Sequence, residues 1–153
     1  MKKWFYSTCM MLLAVAACGC SSDKEYVEPQ LDVTPHNISG EWQLESWQQG
    51  QQMAEGSYVY LSIERKDALF TIYQKIDSFR ARKITGRYAI EIDPELGGVI
   101  RGMYDYDGGD WAHRYIITSL TADRMVWVAK DDRTDVSVYV RADIPAEVVA
   151  EAE

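Results

Sequence analysis

An all-β fold, an eight-stranded antiparallel up-and-down barrel, is what the sequence predicts for residues 38–145, on three observations. Apolar and polar residues alternate in short runs. Clusters of turn-forming residues separate the runs. No segment between them is long enough for the crossover that parallel strands require, so the strands must run as a meander. Closing that meander on itself removes its two unpaired edges.

The first run, Gly40 to Trp47 ("GEWQLESW"), places two of the chain's five tryptophans an odd number of residues apart, so a regular strand sends them to opposite faces. Tyr58 to Glu64 follows, with Val59, Leu61 and Ile63 on one face. The turn "ERKDA" leads into Ala68 to Gln74. Ile84 to Ile92 sets Ile84, Tyr88, Ile90 and Ile92 against Arg87 and Glu91. After "DPELGG" comes Val99 to Tyr104, and after "DGGD" comes Trp111 to Ser119. Met125 to Ala129 and, beyond "KDDRT", Val136 to Arg141 complete the eight. No stretch of the domain carries the period of a long amphipathic helix, and residues 146–153 read as an acidic tail.

Residues 1–17 are a different kind of sequence. Lys2 and Lys3 precede "MMLLAVAA" (Met10 to Ala17), the pattern of a secretory signal peptide. The apolar run falls well short of the roughly 20 residues of a membrane-spanning helix. "VAAC" (Val15 to Cys18) resembles the lipobox of bacterial lipoproteins, which implies cleavage before Cys18 and acylation of that residue. Cys20 is the rival, but the triplet before it lacks the larger apolar residue. Such lipoproteins carry more than one acyl chain, enough for stable anchoring where a single chain holds only marginally.

With the signal goes Cys9, so the barrel has neither a disulfide framework nor a thiol nucleophile. Residues 18–37 read as an acylated N-terminus and a flexible spacer, polar and without a period. The spacer loosely resembles the acidic leaders of some surface lipoproteins of the Bacteroidetes. The expected location is therefore the outer membrane, lipid-anchored and facing the periplasm or the cell exterior.

Charge narrows the partners. Loss of Lys2 and Lys3 from 16 basic residues leaves 14 against 24 acidic, a formal charge of −10. Nucleic acid is excluded as a partner, and the membrane is expected only through the acyl chains.

Taken together, "SGEWQLESW", "LFTIYQK", "GRYAIEI", "RYIITSLTADRMVW" and "VYVRADIP" resemble the lipocalin-like lipoproteins of the Bacteroidetes over Ile38 to Ala142. Gly40-Glu41-Trp42 matches the Gly-x-Trp signature of lipocalins, while the cysteine pair of many secreted lipocalins is missing. The resemblance implies that Gly40 and Trp42 form a structural plug at the barrel floor.

In an up-and-down barrel the connections after strands one, three, five and seven share one end. These are the longer ones here (Gln48 to Ser57, Lys75 to Lys83, "DYDGGD" and Lys130 to Asp135), so that end is expected to be the mouth. The N-terminal spacer attaches at the other end. Candidate ligand-binding residues cluster at the mouth: Trp47, Phe79, Arg80, Arg82, Tyr106 and Trp111. A guanidinium there suits a carboxylate, so an anionic or hydrophobic amphiphile such as a fatty acid is a coherent ligand. The bland reading is that these charges solvate a loop and pair with Asp77.

Other chemistry is poorly supported. Asp105, Asp107 and Asp110 offer oxygens but not the order or the closing glutamate of a calcium loop, so no metal site is assigned. His113 alternates with Trp111, Tyr115 and Ile117, without a recognisable nucleophile or orienting acid, so no catalytic residue and no cofactor is assigned. The expected function is non-enzymatic binding of a small apolar or amphipathic ligand. The alternative is a protein-interaction module, an inhibitor or accessory subunit of a surface complex, acting through its loops.

Overall fold

Gly40–Trp47 (β1), Gln51–Gln52 (β2), Tyr58–Glu64 (β3), Leu69–Lys75 (β4), Arg82–Asp93 (β5), Gly97–Tyr104 (β6), Tyr115–Leu120 (β7), Arg124–Ala129 (β8) and Val136–Arg141 (β9) form one antiparallel sheet. Each strand pairs with the next along the chain, except that β2 only extends the end of β1. The sheet closes through β1 and β9, with Trp42 opposite Arg141 and Leu44 opposite Tyr139. The wall therefore has the eight strands expected. This computed structural model describes residues 27–48, 50–76, 80–106 and 108–153. The signal stretch, Cys18, Cys20, Asp77, Phe79 and Asp107 lie outside the described residues.

The expected strand that began at Trp111 begins instead at Tyr115. Ile100 pairs with Tyr115, but further along β6 the Gly102 carbonyl accepts from the Trp111 amide at 2.8 Å and Met103 bridges Asp110. Ala112, His113 and Arg114 stand opposite Arg101 alone, two residues more than a regular ladder places there, so the chain bulges between those two registers. A period of two cannot reveal such a bulge, because the alternation resumes on its far side.

Two short helices cover what the strands leave open. Pro35–Ile38 (α1) begins where Thr34 Oγ1 accepts from the Asn37 amide at 3.2 Å, with proline in the first turn. Ala146–Ala152 (α2) occupies the stretch expected to be an acidic tail. Its alanines and glutamates favour helix, but seven residues do not hold alone. Burial of Val148 fixes it to the outer wall, where Glu151 accepts from Lys75 Nζ at 2.5 Å and from the Tyr58 hydroxyl at 3.0 Å. Burial and then that carboxylate push the Tyr58 pKa up to about 12.

The expected spacer is also shorter than its sequence suggested. From Gln30 the chain is laid against the closed end of the barrel. The Leu31 amide donates to the Leu120 carbonyl at 2.7 Å, Gln30 Oε1 accepts from Ser119 and Leu120, and Val33 lies against Gly98. Leu31 and Val33 are apolar residues spaced two apart within a polar stretch, and both pack against the core.

The core fills the floor half. Ile38, Trp42, Ile63, Phe70, Ile100, Leu120 and Met125 are fully or almost fully buried there. Trp42 donates its indole N–H to the Ile38 carbonyl at 2.8 Å, and the Arg141 guanidinium lies 3.7 Å from the centre of its ring. Arg141 also donates to the carbonyls of Ser39, Asn37 and Ala122. Gly40 sits at φ +121°, and a Cβ there would run into Arg141. The plug expected of Gly40 and Trp42 thus has a third member in Arg141.

Candidate functional site: the aromatic cavity at the mouth

Toward the other end the inward-facing positions continue but no longer fill the interior. A cavity of about 170 Å³ lies there. Its aliphatic wall comes from Val59 and Leu61 of β3 and Ile72 of β4. Its aromatic wall comes from Tyr104 at the end of β6, Trp111, Tyr115 at the start of β7, Trp127 of β8 and Tyr139 of β9. Strand parity selects these side chains: Val59 and Leu61, and Ser137 and Tyr139, are pairs two residues apart.

Trp111 reaches the interior from the mouth connection. Its ring lies flat against Gly102, where any Cβ would occupy the same space, and its centroid is 4.9 Å from Phe70 and 5.8 Å from Trp127. Trp127 in turn lies 5.5 Å from Tyr115 and 4.9 Å from Tyr139. These edge-on and tilted contacts are the arrangements that aromatic quadrupoles favour. Trp111 separates the packed floor from the unfilled mouth.

The polar groups around this cavity are unusual. The indole nitrogens of Trp111 and Trp127 are both buried and have no hydrogen-bond partner among the described residues. Such a group costs roughly 1–3 kcal/mol unless something accepts from it. Burial, then the Asp135 carboxylate, push the Tyr115 pKa up to about 12, and burial raises Tyr139 and Tyr104 as well. The tyrosines are therefore neutral donors through the physiological range. Among the described residues no charged side chain lines the cavity.

Of the described residues expected to bind ligand, Trp111 alone is among those lining the cavity. Tyr106 is exposed and stacks on Tyr104 at 5.2 Å, which makes it a neighbour of the rim. Trp47 is half-buried and is not among the residues lining the cavity, and a register shift against β9 between Leu44 and Ser46 interrupts the regular alternation that the odd spacing from Trp42 assumes. Arg80 and Arg82 are exposed at the mouth end of β5, and Arg82 holds the inward register position opposite Gln74. Phe79 lies outside the described residues. Sequence reasoning did not single out Tyr139 or Ser137, although β9 alternates Val136, Val138 and Val140 with Ser137, Tyr139 and Arg141. A polar set at one parity inside an apolar strand was the signal for an inward face.

His113 does not share the inward face of Trp111 and Tyr115. It sits in the bulged segment between Trp111 and Tyr115, with Nδ1 2.8 Å from Asp131. Its hydrogen bond holds the Asp131 carboxyl below its ordinary pKa. Among the described residues no group of three or more histidines, cysteines or carboxylates is placed to hold a metal ion.

Comparison with solved structures finds a lipocalin-like protein from Bacteroides uniformis ATCC 8492, with a TM-score of 0.51, 13% identity, and coverage of 69% of this chain and 99% of that one. At that identity the likeness concerns the fold. Among curated proteins nothing matches. The family model described as "Lipocalin-like domain" matches residues 38–127, more than half of the chain, and with the closed eight-stranded barrel in place the chain belongs to that family.

Proposed function

We propose that this chain is a lipid-anchored envelope protein that binds a small, largely apolar molecule in the mouth half of its barrel. The observation that carries the reading is the contrast within one barrel: a floor filled by fully or almost fully buried side chains, and a mouth that leaves about 170 Å³ among aromatic side chains. A barrel of eight strands is just wide enough to be filled by its own side chains or to hold one small ligand. Lipocalin-like barrels are in general a non-enzymatic binding fold.

The anchor completes the reading. "VAAC" supplies the acylation signal at Cys18, with Cys20 as the rival, and the described chain enters along the closed end of the barrel. A mouth on the opposite end faces away from the membrane, suited to capture from solution. Native mass spectrometry of the chain extracted from envelope membranes tests the binding: a co-purifying small molecule within the mass limit of the cavity is expected. An empty barrel that instead carries one stoichiometric protein partner would replace ligand capture with the interaction reading. Globomycin treatment tests the anchor, and absence of an accumulating longer precursor would refute acylation at Cys18.

A further inference from the structure

We infer that the mouth cavity takes an organic cation, a quaternary or protonated amine carried on an apolar body, with the aromatic wall as its seat and Asp135 as its counter-charge. The inference rests on the proposed binding function and adds the charge and chemical class of the ligand. It reverses the charge expected from Arg80 and Arg82, neither of which lines the cavity.

The wall is the first observation. Among Trp111, Tyr115, Trp127 and Tyr139, neighbouring ring centroids lie 4.9 to 6.3 Å apart and the rings are inclined to one another by 34° to 67°. Rings set at such angles border a space from several sides instead of forming one flat stack. The quadrupole of each ring attracts a cation within about 6 Å of its centroid, indole most strongly, and several rings together form the kind of cage that recognises quaternary ammonium groups. Aliphatic side chains would serve a neutral apolar ligand equally well.

The charge beside the wall is the second. Asp135 stands two residues before Ser137 and four before Tyr139, on the parity of β9 that lines the cavity. It also borders an outer cleft formed with Gln48, Gln51, His113, Asp132 and Thr134. Among the described residues no lysine or arginine lines either the cavity or this cleft. Burial is the larger cause of the raised pKa of Tyr115 and Tyr139, and the Asp135 carboxylate adds to both. A field that opposes a second negative charge at the wall favours a positive one there. An anion would meet that same carboxylate after losing its water, and a neutral molecule would gain nothing from it.

The test measures by calorimetry the binding of benzyltrimethylammonium, choline, its uncharged isostere 3,3-dimethylbutan-1-ol, and decanoate. The proteins are the full chain and its Asp135→Asn, Tyr115→Leu and Tyr139→Leu variants. Benzyltrimethylammonium is expected to bind most tightly, and choline about 10-fold more tightly than its isostere. Asp135→Asn should lower the choline-to-isostere ratio about 5-fold, and each leucine variant about 2- to 10-fold. The ratio does not depend on the fraction folded, so a destabilised variant still reports. Equal binding of choline and its isostere, a ratio unchanged in Asp135→Asn or in both leucine variants, or preference for decanoate overturns the cation class and leaves ligand capture standing. If no probe binds, the cation class falls as well. A small molecule co-purifying in native mass spectrometry then still supports ligand capture, whereas an empty barrel ends both.

Discussion

At the floor of the barrel, Trp42 is fully buried and its indole N–H donates to the Ile38 carbonyl; at the mouth, Trp111 and Trp127 bury indole N–H groups with no partner. The same strands supply both ends. The difference lies in what closes them. The floor is covered by chain segments that bring backbone carbonyls to the polar groups: α1, the docked residues 30–34, and Arg141 reaching Ser39, Asn37 and Ala122. The mouth is covered by the longer connections, from which Trp111 and its neighbour Ala112 are the described residues that line the interior. Of the three buried polar atoms without a partner among the described residues, the indole nitrogens of Trp111 and Trp127 belong to residues that line the mouth cavity, and the third is the Tyr88 hydroxyl in the core.

The largest expected effect belongs to the floor. Trp42→Ala removes a side chain with no exposed surface, empties the space under Arg141 and leaves the Ile38 carbonyl without its donor. A loss of about 3–5 kcal/mol is expected from chemical denaturation. A cost below about 1 kcal/mol would mean that the floor, like the mouth, tolerates empty space, and the contrast would collapse.

Two glycines sharpen it next. Gly40→Ala places a Cβ at φ +121° and against Arg141, which α1 and the strand hold in place, so about 2–3 kcal/mol is expected. Gly102→Ala meets the face of Trp111, which hangs from a connection able to shift, so about 1 kcal/mol is expected. The mouth substitution should also displace Trp111, seen as a changed fluorescence maximum, and should reduce the volume available to a ligand. Equal costs at the two sites would show that the mouth connection is as rigid as the floor.

The same division explains what could be read from residues alone. Strand existence and order were legible because every strand has one buried face, and a period of two survives in the sequence wherever that holds. Gly40 and Trp42 were legible through a short motif. The floor's third member, Arg141, sits in an ordinary strand end, and only strand closure places it over Trp42. The cavity was half legible: Trp111 and the aromatic supply were visible, whereas the choice of Tyr139 over Trp47 depends on strand registers set by closure of the barrel, including the shift between Leu44 and Ser46. The bulge at residues 112–114 misled the reading of His113, because local alternation is blind to a surplus of two residues between two registers. α2 was missed because two valines among alanines and glutamates make too short a pattern to separate from a charged tail.

Alkaline titration offers a smaller probe of the mouth. Tyr115 and Tyr58 have folded-state pKa values of about 12, against about 10 when unfolded. A raised tyrosine pKa favours the neutral hydroxyl in the folded chain. Its contribution to stability is therefore fully present below pH 10 and is lost as pH rises toward 12. Ultraviolet difference titration should show tyrosines ionising late, and Tyr115→Phe should remove one of them without changing the floor. Asp135→Asn should bring the remaining Tyr115 transition down, since that carboxylate follows burial as a cause of the rise. A Tyr115 transition near 10 would place its hydroxyl in open solvent and remove it from the cavity wall.

The smallest effect concerns the exposed tie between two mouth connections. His113 in the β6–β7 connection and Asp131 in the β8–β9 connection meet at 2.8 Å, and the carboxyl is held below its ordinary pKa by that hydrogen bond. A depressed carboxylate pKa gives a contribution present above the unfolded value near 4, lost as pH falls through the folded one. Both partners are solvated, so Asp131→Asn should leave the global denaturation midpoint unmoved. Hydrogen exchange should nonetheless quicken at the amides of residues 108–114, and the acceleration should match that of the parent chain in acid. The two observables separate the ends of the barrel: an exchange change confined to those residues places the tie in the mouth alone. A midpoint shift as large as that of Gly40→Ala would couple the rim to the plug and make the barrel one cooperative unit from end to end.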